Sequence, residues 1–174
     1  MIKKPSITTS MKTMTGLTLI ELMVTMGVLA ILVAVGVPRM QGMSAGNRMS
    51  ATINRLATDL AMARSEAINR NRPVTIEQVT AGNWSDGWTV VAEAYKGLTP
   101  VPLSTTGAIP NGMTLIETGG LTDIQYGGDG LSSDATARNF TLCKVGKKNR
   151  LINIGISGRY TTTLSTGAVA TACL

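Results

Sequence analysis

Glu21 is the only charge in an apolar run that extends from Leu17 to Val37. A carboxylate in such a run is costly unless a cation neutralises it, so its presence points to a use. The other side chains capable of chemistry are few. Cys143 and Cys173 are the two cysteines. From Arg138 to Leu174 the chain carries six basic residues, Arg138, Lys144, Lys147, Lys148, Arg150 and Arg159, and no acid. Asp123, Asp129 and Asp134 fall among Gly127, Gly128 and Gly130. That composition suits a calcium loop or ordinary turns, and the spacing does not match an EF-hand. Histidine is absent, which removes the commonest general base and zinc ligand. Gly146-Lys147 lacks the upstream glycine and the following Ser or Thr of a phosphate loop. No acid and base can be paired into a catalytic site, so the sequence argues against an enzyme and requires no cofactor or metal.

The elements that must position these residues follow from periodicity. As a helix, Leu17 to Val37 would measure about 31 Å, close to the hydrocarbon thickness of a bilayer. Lys3, Lys4 and Lys12 precede it with no acid, which holds the short N-terminal tail in the cytoplasm and sends the rest across. An exported chain meets an oxidising compartment, so a Cys143–Cys173 disulfide is expected. It would close a loop of about 31 residues, worth about 3–4 kcal/mol by chain entropy. From Leu17 to Ala137 seven basic residues face ten acidic ones. The acid-free segment that follows is a candidate polyanion-binding surface or a solvated basic face for an acidic partner.

Beyond Pro38 the pattern stays helical. Met49, Ile53, Leu56, Leu60, Ala63 and Ala67 recur at three and four, one apolar stripe. Arg48, Arg55, Asp59, Glu66 and Arg70 are assigned to the opposite face, with Glu66 and Arg70 in the favourable i, i+4 order. Pro73 ends the run. Pro38, Gly42 and Gly46 weaken its middle, so this stretch is expected to bend or partly unwind on assembly. Strands are expected at 73–79, 87–92, 113–117, 124–126, 140–145, 150–156 and 160–164, with a hairpin at Gly146-Lys147-Lys148-Asn149. Leu98 to Pro110, holding three prolines, reads as a surface loop. Aromatics are only 3%, so the core must be built from aliphatic side chains. The fold class is α+β: a long N-terminal helix, half transmembrane (17–37) and half amphipathic (38–72), packed on an antiparallel β-rich head (73–174).

Gly16-Leu17-Thr18-Leu19-Ile20-Glu21-Leu22 resembles the class III signal of type IV prepilins and pseudopilins. Pro38, the 22nd residue after Gly16, matches a second hallmark of that family; Leu17 departs from its usual Phe. The resemblance implies that a membrane prepilin peptidase removes residues 1–16, cutting between Gly16 and Leu17 and methylating the new amine of Leu17. It also implies that Glu21 neutralises the N-terminal amine of a neighbouring subunit, with Glu21 and Pro38 serving assembly. The competing reading is an ordinary secretory signal cut near Ala34-Val35-Gly36, which leaves Glu21 without a purpose.

Three further stretches resemble the minor pilin and H-type pseudopilin branch, the GspH/FimT-like proteins. They are Ala63-Arg64-Ser65-Glu66-Ala67, Asp86-Gly87-Trp88 and Gly158-Arg159. The resemblance implies the type IV pilin fold and a single-pass inner-membrane protein with a periplasmic head, later part of a cell-surface pilus beside other minor and major pilins. The expected function is a structural minor pilin at or near the tip. One alternative is an H-type pseudopilin of a type II secretion system; another is a pilus-associated DNA receptor. Some branch members bind DNA through Gly-Arg-x-Arg, and here Gly158-Arg159-Tyr160-Thr161 lacks the second arginine. Lys144, Lys147, Lys148 and Arg150 are expected close together on the hairpin, with Arg159 on the adjacent turn.

Overall fold

The computed structural model describes residues 16, 18–94, 99–133 and 137–165. The chain forms two compact units, Met1–Gly42 and Met43–Leu174. Helix α1, Leu19–Arg70, contributes to both. Its start is set locally. Thr18 accepts the Glu21 N–H on Oγ1 at 3.3 Å and the Leu22 N–H on its carbonyl at 3.2 Å. That is an N-cap satisfying donors the first helical turn leaves unpaired, and Thr18 with Glu21 has the spacing of a capping box. Leu19–Val37 has a mean hydropathy of 2.4 and none of it is buried. It is long and apolar enough to cross a membrane.

In the second unit the apolar stripe forms as expected: Met49, Ile53, Leu56, Leu60, Ala63 and Ala67 are all buried. The helix closes on a Schellman motif. Asn71 takes a left-handed φ of 49°, its N–H donates to Ile68 O and the Arg72 N–H donates to Ala67 O, both at 3.1 Å. Pro73 then prevents continuation. The Glu66–Arg70 pair forms at 2.7 Å.

Eight strands follow: β1 Val74–Thr80, β2 Asn83–Ala92, β3 Val101–Thr106, β4 Thr114–Glu117, β5 Asp123–Tyr126, β6 Arg138–Cys143, β7 Arg150–Ile154 and β8 Tyr160–Leu164. They make two antiparallel four-stranded sheets, β3-β2-β1-β5 and β4-β6-β7-β8. Val74, Ile76, Trp88 and Ile124 of the first sheet share one core with Phe140, Leu142, Ile152 and Ile154 of the second and with the helix stripe. Trp84 meets Phe140 edge-on at 4.9 Å, and with Trp88 and Tyr126 they are buried, so the core is not the purely aliphatic one that the low aromatic content suggested.

Two expectations are corrected. The stretch assigned to a surface loop contains β3. Pro102 is tolerated there because β3 is an edge strand that pairs only with β2, leaving one side on which a missing N–H costs nothing. Asp59, assigned to the solvated face of the helix, is buried at 3% exposure. It lies three residues after Leu56 and four before Ala63, which places it on the flank of the buried stripe rather than opposite it.

Candidate functional site

The N-terminal candidates sit at the start of α1. Gly16 is exposed, and Leu17 lies outside the described residues. Glu21 is exposed in the first helical turn, where the helix dipole favours a carboxylate. Among the described residues it has no ion-pair partner. Pro38 falls within α1.

The basic residues separate into three groups. Lys144, Lys147 and Lys148 occupy the β6–β7 connection, closed by a Lys147 N–H donating to Lys144 O at 3.1 Å, and Arg150 opens β7. These four are brought together as expected, beside Val145 at 93% exposure. Arg159 is not among them. It lies in the Gly155–Arg159 turn at the other end of β7, roughly 16 Å away along a five-residue strand. Arg138 leaves the basic face altogether: it is 5% exposed, with Nη1 3.8 Å from Glu117 Oε1. Cys143 is buried at the end of β6; Cys173 lies outside the described residues. Asp123 opens β5 and Asp129 follows that strand, and Asp129 accepts the Leu131 N–H at 3.0 Å in turn fashion. Asp134 lies outside the described residues. Among the described residues no three His, Cys, Asp or Glu side chains group as metal ligands.

The three short motifs acquire physical reasons. In Asp86-Gly87-Trp88, Gly87 has a φ of +105°, and a Cβ there would stand 2.1 Å from Thr106 O, so only glycine lets β3 approach. Trp88 is buried and donates its indole N–H to Asp59 Oδ2 at 2.9 Å. Asp59 also accepts from Thr106 Oγ1 at 3.1 Å, Ser104 Oγ at 3.3 Å and Arg55 Nε at 3.3 Å. One helical carboxylate thus ties α1 to β2 and β3. In the helix motif, Ala63 and Ala67 are small enough to disappear into the core, while Arg64 Nε donates to Gly130 O at 2.8 Å. In Gly158-Arg159, a Cβ on Gly158 would meet Gly130 O at 2.4 Å and Arg64 Nε at 3.1 Å. Helix end, β5–β6 loop and β7–β8 turn are thereby locked together.

Tyr126 lies under that junction, fully buried, its hydroxyl without a hydrogen-bond partner among the described residues. Burial pushes its pKa from 10.0 up to about 12, Arg64 pulling it back and Tyr160 adding to the rise. The folded chain keeps this proton where the unfolded chain has lost it. Stability is therefore complete below pH about 10 and falls as pH rises toward about 12, by about 3 kcal/mol at most. Tyr126→Phe is expected to flatten this alkaline loss, read as midpoint against pH in chemical unfolding. At neutral pH it should cost less than about 1 kcal/mol, because it also removes an unsatisfied hydroxyl.

The family model described as type II transport protein GspH matches residues 52–159. No curated protein matches the chain. A crystal structure of the Pseudomonas aeruginosa (strain PAO1) type IV minor pilin FimU, in space group P21, matches with a TM-score of 0.61 at 22% identity, covering 71% of this chain and 96% of that one. A second FimU crystal form, P65, matches with a TM-score of 0.57 at 22% identity, covering 67% and 97%. The architecture is the type IV pilin fold.

Proposed function

The chain belongs to the GspH family of type II transport proteins, and from that membership we propose that it is a minor pilin, a structural subunit of a type IV pilus in or near the tip complex. The observation that carries this reading is the unburied apolar helix Leu19–Val37, headed by Glu21, in the same chain as a GspH-family head. Prepilin peptidase cuts between Gly16 and Leu17 and methylates the Leu17 amine. The subunit waits in the inner membrane and then enters a bundle of like helices beside other minor and major pilins. Lipid and bundle are both apolar, so the transfer is close to balanced and a separate motor can drive it. Glu21 meets a neighbour's amine, since in low dielectric a pair is far cheaper than either charge alone. Glu21→Ala is expected to leave cleavage intact and lower the amount in the sheared filament fraction at least tenfold, measured by immunoblot. Undiminished incorporation would contradict that role.

The same fold serves equally as an H-type pseudopilin, and the GspH match favours keeping that reading. Deleting the gene separates the two: loss of pili supports the first, loss of protein secretion the second. A DNA-receptor role would rest on the acid-free β6–β7 connection. It predicts a gel shift that weakens steeply with salt and falls about tenfold in Lys147→Glu/Lys148→Glu. A Cys143–Cys173 bridge fits the topology, because Leu164 and Leu142 are both register partners of Arg150. The end of β8 is thus only two strand spacings, about 10 Å, from β6.

A further inference from the structure

Of the edge strands of the two sheets, β3, β5 and β4 are closed and β8 is open. β3 carries Pro102, which cannot donate to an added strand. On β4 the Leu115 N–H is taken by Ser85 Oγ at 3.0 Å. The outer side of β5 is covered by the chain that follows it. There the Ser133 N–H donates to Gln125 O at 3.0 Å, the Gly127 N–H donates to Leu131 O at 2.9 Å, and Tyr126 bridges Ser132. The ladder between β8 and β7 is bounded by two hydrogen bonds: the Ser165 N–H donates to Asn149 O at 2.9 Å, and the Gly155 N–H donates to Arg159 O at 2.8 Å. Bonded and non-bonded positions alternate along an antiparallel pair. Both ends therefore turn the backbone of Thr161 and Thr163 toward β7. The N–H and C=O groups of Tyr160, Thr162 and Leu164 are directed away from it, and among the described residues nothing pairs with them.

Nothing within β8 blunts that edge. Tyr160–Leu164 holds no proline and no charge, the devices by which edge strands ordinarily refuse a partner. Its threonines suit an extended backbone, and Thr161, Thr162, Thr163 and Leu164 are exposed. The two ends of the strand are cationic. Arg159 precedes it and is exposed; Arg150 is the register partner of Leu164. They are separated by roughly 16 Å along five residues. Among the described residues neither makes an ion pair, and the chain holds no acid from Arg138 onward. A Cys143–Cys173 bridge would tie the C-terminus to the Leu164 end of the ladder, where Cys143 follows Leu142, a register partner of Arg150. The chain's own tail laid back along β8 would take Cys173 to the Tyr160 end, away from Cys143. We propose that β8 takes up an extended segment of another protein as a fifth strand of its sheet, and that this segment has an uncharged middle and an acidic residue at each end. Main-chain hydrogen bonds supply the affinity, and the two arginines select the acids and fix the register.

The test titrates the purified full chain, in detergent micelles, into a fluorescein-labelled peptide, Glu-Thr-Val-Thr-Val-Thr-Glu, read by fluorescence anisotropy. Saturable binding is expected, and it should vanish when the central amides of the peptide are all N-methylated, since a ladder needs those donors. Thr162→Pro removes one outward N–H at an edge position that β7 does not use, so the fold should stand. Far-UV circular dichroism and the unfolding midpoint check that it does. This variant should bind at least about tenfold more weakly, whereas Thr162→Ala should bind as the parent does. Arg150→Glu/Arg159→Glu should bind at least about fivefold more weakly and prefer the same peptide with lysine at both ends. Should Thr162→Pro lose its fold, the N-methylated peptide carries the same test on the parent chain. No binding by the parent, equal binding of the N-methylated peptide, or an affinity indifferent to folded Thr162→Pro or to the charge reversal would overturn the proposal. Binding that appears only in a chain ending at Ser165 would overturn it as well, with the tail as the occupant of the edge.

Discussion

Asp59→Ala is expected to lower the stability of the head by about 3 kcal/mol and its Tm by roughly 10 °C. The substitution removes one acceptor and leaves several groups unanswered. Trp88 Nε1, 2.9 Å from Asp59 Oδ2, is buried with its ring and has no route to water. Ser104 and Thr106 lose the oxygens they donate to at 3.3 and 3.1 Å. Arg55 suffers least, because its side chain is 54% exposed and can hydrate. Most of the cost therefore comes from desolvated donors rather than from the ion pair. Asp59→Asn keeps an acceptor for the indole and should cost about half as much. Thermal unfolding followed by Trp emission reads both effects, with an added red shift in the alanine variant as water reaches Trp88. A loss below about 1 kcal/mol in Asp59→Ala would show that this carboxylate does not join α1 to the first sheet.

The second large effect concerns Glu117 and Arg138, whose side chains are 2% and 5% exposed. Glu117 Oε2 accepts the Leu121 N–H at 2.9 Å, whereas Oε1 faces Arg138 only at 3.8 Å. Desolvating two charges for so long a contact is a poor exchange, yet truncating Glu117 removes the carboxylate that faces a buried guanidinium and leaves the Leu121 N–H without its acceptor. Glu117→Ala is expected to cost about 3–4 kcal/mol. Glu117→Met/Arg138→Met should recover at least half of that, since an apolar pair owes no desolvation. Denaturant unfolding of Glu117→Met, Arg138→Met and the double variant completes the cycle. A double variant as unstable as the sum of the singles would contradict the assignment of these residues as a coupled buried pair.

The elements legible in the sequence are those where local pattern and tertiary need agree. The spacing of Met49 through Ala67 marks the buried helix face, and every position of that stripe is buried. The β6–β7 hairpin and the stop at Pro73 are local signals, and each stands. What was not legible depends on residues far away in the chain. Nothing beside Asp59 announces Trp88, Ser104 or Thr106, which stand 29 to 47 residues further on. Its i, i+4 relation to Arg55 is also what a surface pair looks like. Arg138 counted as part of a basic segment because sequence adjacency cannot show that Glu117, near the end of β4, faces it. The prolines around Val101–Thr106 hid β3, since whether Pro102 is tolerated depends on which strand lies at the edge. The Arg64 contact could have been suspected only from an arginine in the middle of an alanine-bounded motif, with no sign of the glycine carbonyl it reaches.

The most direct test of the central claim is the N-terminal sequence and intact mass of this protein recovered from the sheared filament fraction. The account predicts a chain that starts at Leu17 with a methylated amine. A chain that starts beyond Val37, recovered only from soluble fractions, would contradict it.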